Sequence, residues 1–208
     1  MGIKVKRIPV GAILTNCYLV YSSLSDEAVV IDPGAEGEKI MAVTSELGLN
    51  LRYIINTHGH GDHIGANNYI KEHTGAEILI HEADAEMLVS PSTNLSEWMS
   101  QPVTGPAADR LLIGDEELSC GDIIFKVLAT PGHTPGGISL VTEDMVFTGD
   151  ALFKGSIGRT DFPGGSFVDL IAGIKKHLFK LPADTMVYPG HGPATTIGYE
   201  KTHNTFFQ

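Results

Sequence analysis

Three imidazoles and a carboxylate fall within six residues of this chain, in His58-Gly59-His60-Gly61-Asp62-His63. Imidazole nitrogen and carboxylate oxygen are the usual ligands of zinc and of non-haem iron or manganese. Three motifs downstream each present one such group beside glycine: Pro131-Gly132-His133-Thr134, Thr148-Gly149-Asp150-Ala151 and Pro189-Gly190-His191-Gly192. The four motifs offer five histidines and two aspartates. Seven donors exceed the needs of one tetrahedral catalytic ion, which takes three protein ligands and keeps a position open. Two ions about 3.5–4 Å apart fit the number, with one carboxylate bridging. His58 and His60, two apart on an extended segment, can point the same way toward one ion, and Asp62 and His63 would then reach the other.

Such a pair of cations lowers the pKa of a shared water from 15.7 toward about 7, so a hydroxide nucleophile exists at neutral pH without Ser or Cys. The same ions polarise a carbonyl and take up oxyanion charge. Asp62 could orient the hydroxide and receive its proton. His73, His81, His177 and His203 lie outside the motifs and read as ordinary surface or core residues.

The elements around these residues explain how they could meet. Residues 51–56 are apolar and β-branched and predict a buried strand, while 64–73 have helical spacing. The cluster therefore lies where a strand ends and a helix begins, the edge at which open α/β sheets bind ligands. The other three motifs also follow strand-like runs. Further strands are expected at 1–8, 16–21, 28–32, 77–81, 116–120, 122–128, 138–141, 145–148 and 186–188, and helices at 36–47, 82–88, 167–178 and 199–207. This alternation predicts a layered α/β fold. Residues 89–109, with Pro91, Pro102 and Pro106 around Trp98 and Met99, break the pattern. They read as a long loop, either a lid over the site or a mobile connection.

Composition sets the remaining bounds. The 208 residues suffice for one domain, 1–208, with a sizeable core. Hydrophobic residues make up 42% and charged residues 19%, as in a globular protein. The formal net charge of -11, with no run of Lys or Arg, argues against nucleic acid as a partner. No apolar stretch approaches a membrane span or reads as a leader with a small-residue cleavage site, so no membrane partner and a cytoplasmic location are expected. Cys17 and Cys120 sit in apolar runs and read as buried free thiols.

The combination His58-x-His60-x-Asp62-His63, then His133, Asp150 and His191, resembles the signature of the metallo-β-lactamase superfamily. The likeness extends over nearly the whole chain and implies a four-layer αβ/βα sandwich with two metals at one edge. It implies one ion on His58, His60 and His133, a second on Asp62, His63 and His191, and Asp150 as the bridge. The ions implied are divalent, zinc in the first place, with iron or manganese as alternatives. Within the superfamily, Thr57-His58-Gly59-His60-Gly61-Asp62-His63-Ile64-Gly65, Gly149-Asp150-Ala151-Leu152-Phe153 and the run from Ser156 to Asp161 resemble the glyoxalase II-like hydrolases, especially their short bacterial members. The resemblance implies hydrolysis of a glutathione thioester such as S-lactoylglutathione, with Arg159 as the substrate-carboxylate anchor. A monomer or small homo-oligomer is expected. Two other activities of the superfamily compete. The run Gly158-Arg159-Thr160-Asp161-Phe162 also resembles the persulfide dioxygenases, whose single iron would take His58, His133 and Asp150, although those enzymes tend to carry Ala where this chain has Gly61. A metallo-nuclease is the other, disfavoured by the net charge.

Overall fold

The structure, a computed structural model, describes residues 2–98 and 101–208. Its elements run β1 (Ile3–Val10), β2 (Thr15–Ser22), β3 (Glu27–Ile31), α1 (Gly37–Glu46), β4 (Asn50–Ile55), α2 (Gly61–Ile64), α3 (Asn67–Thr74), β5 (Glu77–His81) and β6 (Arg110–Leu112). There follow β7 (Glu117–Cys120), β8 (Ile123–Ala129), β9 (Ile138–Thr142), β10 (Met145–Gly149), β11 (Leu152–Phe153), β12 (Ser156–Ile157), α4 (Phe167–Lys176), β13 (Met186–Pro189), β14 (Thr195–Thr196) and α5 (Ile197–His203). Short 3-10 turns occupy Glu82–Leu88, Ser96–Trp98, Leu178–Lys180 and Thr205–Phe207.

Two six-stranded sheets are stacked between helices. The first has the order β1-β2-β3-β4-β5-β6 and the second β14-β13-β10-β9-β8-β7. Strands β3 to β6 run parallel, as do β10 and β13, while the remaining pairs are antiparallel. The layering follows from the period of two along each strand. On β2 and β3, Tyr18, Val20, Val29 and Ile31 turn toward the second sheet and pack with Phe125, Val127, Leu140 and Phe147. Their neighbours Cys17, Leu19, Ala28 and Val30 turn the other way, against Ile40 of α1 and Ile70 of α3. On the far side Leu170 and Ile174 of α4 cover Val146 and Val187 of the second sheet. The result is helix, sheet, sheet, helix: the αβ/βα sandwich that the resemblance implied. Both cysteines are buried free thiols.

Helix α4 illustrates how local sequence sets an element. Its buried residues recur at 170, 173 and 174, Ser166 accepts a hydrogen bond from Asp169 N at 3.2 Å, and Lys175 and Lys176 occupy the last turn. Some boundaries differ from the sequence expectation. The helical stretch at 64–73 is two helices, α2 and α3, because Gly65 and Ala66 turn the chain between them. Residues 82–88 form 3-10 turns rather than an α-helix, and 199–207 divide into α5 and a 3-10 turn at Asn204. Strands β6, β11, β12 and β14 are too short for a period to be visible in the sequence. Among the described residues, no helix is long and apolar enough to cross a membrane.

Candidate metal centre

The four predicted motifs meet where strands of both sheets end, and the backbone there is tied across the sandwich. Beyond β4, Asn56 donates its side-chain amide to His63 O at 3.1 Å and accepts from Asn67 at 2.7 Å, fixing the turn between strand and helix. Thr57 donates twice to Asp32, from N and from Oγ1, each at 2.7 Å. Its carbonyl accepts from Ile138 N of the other sheet at 2.8 Å. Buried Asp84 accepts from Gly59 N at 3.1 Å and Gly136 N at 2.7 Å, joining the first ligand stretch to the loop that carries His133. At the end of β10, Gly149 has φ +48, and a Cβ there would lie 2.1 Å from Thr57 Oγ1. Only glycine lets Asp150 approach the first stretch so closely.

All seven predicted metal-type residues converge. His58, His60 and His133 form one group whose ligand atoms lie within 4.8 Å of one another, and Asp62, His63 and His191 form another. A third grouping, His58, His63 and Asp150, joins the two. In the first group His60 Nδ1 faces His58 Nε2 at 3.1 Å and His133 Nε2 at 2.9 Å. In the second, Asp62 Oδ2 lies 3.1 Å from His191 Nε2 and 3.3 Å from His63 Nε2, and it accepts from Thr15 Oγ1 at 3.1 Å. Asp150 reaches toward both: its Oδ1 is 3.5 Å from His63 Nε2, and its Oδ2 is 3.6 Å from His133 Nε2 and 3.7 Å from His191 Nε2.

The outer nitrogens are oriented as metal ligands require. His133 Nδ1 donates to Arg159 O at 2.7 Å, which leaves Nε2 bare and turned inward. His63 Nδ1 lies 3.0 Å from Asp32 Oδ2, close for charge attraction though bent away from hydrogen-bond geometry. Asp32 holds this position with φ +51, a left-handed conformation uncommon for a residue with a side chain.

Two observations test whether the residues suit metal ions. His60 Nδ1 faces two other ring nitrogens, and a single nitrogen can bond to only one of them, whereas a cation between three lone pairs satisfies all. Asp150 Oδ1 is buried with no hydrogen-bond partner. The electrostatics agree. Burial and the imidazoles of His63, His60 and His133 push His58 well below its ordinary value, and burial with His133 and His63 pushes His60 down to about 3. Both are neutral at pH 7 with lone pairs available. Burial opposes a proton on His63, but Asp62, Asp150 and Asp32 overcome it and raise this ring well above the usual histidine range. His191 is raised too, with burial opposing and Asp62 and Asp150 prevailing. Burial works against ionised Asp62, yet His63 and the contacts from His191 hold its carboxyl far below the carboxylate range. Asp150 is pushed up by burial despite His63 and His191. The carboxylates thus raise the proton affinity of His63 and His191, a pull that a divalent cation would answer instead, and the donor set suits such ions.

A cavity of about 640 Å³ opens over the cluster, lined by His60, Asp62, His133, Asp150, His191 and Arg159 together with apolar side chains. A second, about 550 Å³, lies on the other side of Asp62 and Gly61, lined by Thr15, Glu36, Asn68 and Tyr69. Arg159 makes a bidentate pair with Asp161, 2.7 Å at each nitrogen, and lies over the Phe162 ring at 3.9 Å from its centre. Of the 89–109 loop, Asn94 and Leu95 line the first cavity and Pro102 to Thr104 the second. Met99, grouped with Trp98 in the sequence reading, lies outside the described residues. Sequence reasoning missed Asp32, which registered only as the last residue of the strand expected at 28–32. It also missed Asp84, whose spacing carries no signal because its partners are backbone amides distant in sequence.

Comparison with known proteins places the chain. The model of the metallo-beta-lactamase superfamily matches residues 10–191. A probable metallo-hydrolase, YqgX of Bacillus subtilis, is 40% identical over 206 residues, covering 98% of this chain and 97% of the relative. The hydroxyacylglutathione hydrolase GloC of Haemophilus influenzae is 39% identical over 206 residues, 97% of each. Among solved structures, the BLEG-1 B3 metallo-beta-lactamase superposes with a TM-score of 0.95 at 39% identity, over 99% of this chain and 100% of that one. TTHA1623, solved in a di-iron-bound form, gives 0.87 at 36% identity, over 97% and 100%.

Proposed function

Because the chain belongs to the metallo-beta-lactamase superfamily as a metallo-hydrolase, we propose that it is a dinuclear enzyme cleaving a thioester such as S-lactoylglutathione. The observation that carries this reading is the pair of ligand triads that share Asp150. His58, His60 and His133 would hold one divalent ion and Asp62, His63 and His191 the other. Zinc is the first expectation from the ligand types; the di-iron form of TTHA1623 makes iron the alternative. Bound there, the ions would supply Lewis acidity and a nucleophile available at neutral pH.

The chain's own residues account for the rest. The reaction adds water to the acyl carbon and breaks the carbon–sulfur bond: one proton of the water passes to the departing sulfur to give a thiol, and the carboxylic acid formed gives up the other to solvent as it ionises. Asp62 lines both cavities and its three contacts all fall on Oδ2. Its Oδ1 makes none of these contacts, so that oxygen could accept the water's proton and hand it on. Thr15 fixes that carboxylate in orientation. Asp32 and the carbonyl of Arg159 turn His63 and His133 toward the centre. Arg159 stands at the cavity wall, and its pair with Asp161 is exposed on both sides, 58% and 67%, so it exchanges easily for a substrate carboxylate. The likeness to GloC supports a glutathione carrier.

Elemental analysis of the purified protein, paired with hydrolysis of S-lactoylglutathione before and after chelation, tests this. Two ions per chain and activity lost and restored with them are expected. A fully loaded protein that turns over no acylthioester would overturn the substrate class, and a single iron with oxygen consumed on glutathione persulfide would favour a dioxygenase.

A further inference from the structure

His191 is held differently from its neighbours in the cluster. His133 is turned by the carbonyl of Arg159 and His63 faces Asp32, each at its outer nitrogen. Among the described residues, the polar contacts of the His191 ring all fall on Nε2, which faces His63, Asp62 and Asp150. The side chain is 25% exposed, so packing does not enclose it. Its place depends on the backbone that carries it, Pro189 to Gly192.

That backbone is gripped from the other sheet. Asn16, wholly buried near the start of β2, donates its backbone N to Gly190 O at 2.7 Å. Its side-chain amide donates to Pro189 O at 2.8 Å and to Gly192 O at 2.9 Å. Tyr18 adds its hydroxyl to Pro189 O at 2.7 Å. These bonds cross the sandwich and end on carbonyls on either side of His191. On the opposite side Gly190 N donates to Gly149 O at 2.8 Å, and a Cβ at Gly190 would stand 2.3 Å from Asp150 Oδ1. The segment is thus pinned between Asn16 and the loop that carries Asp150. The Asn16 amide serves only one way round. Arg7 Nε, which can only donate, meets Oδ1 at 2.6 Å, and this turns Nδ2 toward the carbonyls, which can only accept. The preceding residue, Thr15, donates to Asp62 Oδ2 at 3.1 Å. Consecutive residues of one strand therefore hold Asp62 and His191, the two members of their triad that are open to the cavity.

We propose that Asn16 is a positioning residue for the ion at Asp62, His63 and His191: it clamps the 189–192 backbone so that His191 meets Asp62 at ligand distance. The proposal rests on the dinuclear reading for the ion itself and not on the identity of the substrate. Asn16→Leu keeps the volume and removes the side-chain bonds. Tyr18→Phe removes one bond and leaves the ring against Phe147 and Tyr188, so its fold is secure. Zinc affinity is measured by chelator competition in two backgrounds, His60→Ala, which leaves the triad with His191, and His191→Ala, which leaves the imidazole triad. In the first, Asn16→Leu should weaken binding about 10–100-fold and Tyr18→Phe about three-fold. In the second, neither should change it by more than about two-fold. Amide hydrogen exchange of the metal-free protein gives a readout that needs no ion. Gly190 N should exchange about ten-fold faster in Asn16→Leu, while Thr57 N, held by Asp32, is unmoved. If the parent binds one ion per chain and Asn16→Leu still frees Gly190 but not Thr57, the clamp stands and the dinuclear reading falls. Equal weakening in both backgrounds, an unmoved affinity where two ions bind, or Gly190 exchange unmoved by Asn16→Leu overturns the clamp.

Discussion

The two ligand triads differ in charge and in exposure. His58, His60 and His133 are all imidazole and all buried, and the first two are pressed toward neutrality by burial and by one another. Asp62, His63 and His191 mix charge: Asp62 and His191 are partly open to the cavity, and His63 is surrounded by Asp62, Asp150 and Asp32. One side is a nest of lone pairs and the other an anionic pocket that attracts protons as readily as metal. Such asymmetry suits a centre in which one ion is held tightly and the other stands next to Asp62, the carboxylate proposed for proton transfer.

The strongest way to break this comparison is to remove what the sides share. Asp150→Ala is expected to lower metal content at both triads and to cut kcat/KM by about 10³-fold, the several kcal/mol a metal centre supplies. If two ions remained and only the rate fell, Asp150 would not bridge. The next largest effects separate the sides. His60→Ala should empty the imidazole triad and His191→Ala the anionic one, each leaving about one ion per chain by mass spectrometry under native conditions. Loss of both ions in either variant would mean that the two triads cannot be loaded independently.

Acid sharpens the same contrast. His63 and His191 are raised above the usual histidine range, so protons compete with metal there first as pH falls. His58 is lowered and His60 is down to about 3, so the imidazole triad resists acid longer. A species with one ion should therefore accumulate on acidification, and binding of the second ion should release more protons than the first, measurable by calorimetry in buffers of different ionisation heat. Simultaneous loss of both ions would contradict the assignment of the raised groups to one side.

Much of this was legible in the sequence, for a physical reason. Metal ligands must be specific residue types, so His58, His60, Asp62, His63, His133, Asp150 and His191 stand out by chemistry alone and all converge. The layered fold was legible because β2, β3 and β10 are long enough to display an apolar run or a period. Residues that act by orienting others carry no such signature. Asp84 works through backbone amides of residues 59 and 136. Gly61 looked like a mere difference from one competing family. A Cβ there would stand 2.8 Å from Ser96 Cβ, so its glycine is required by the loop that carries Leu95. Arg159, expected as a carboxylate anchor, is paired with Asp161 in an exposed ion pair at the cavity wall.

The smallest effect tests the comparison most finely. Asp32 touches His63 on the anionic side and Thr57, which leads into His58, on the other. Asp32→Asn keeps the size and one acceptor but removes the charge beside His63 Nδ1. If the carboxylate acts chiefly by orienting and polarising His63, the ion at Asp62, His63 and His191 should bind about 10–100-fold more weakly, while the imidazole triad keeps its affinity. The raised proton affinity of His63 should fall as well, because Asp32 is one of the three carboxylates that hold it up, and this is readable by NMR titration of the ring in the metal-free protein. Equal weakening at both triads, with the His63 titration unmoved, would show instead that Asp32 serves the whole turn through Thr57. The asymmetry would then arise from Asp62 and Asp150 alone.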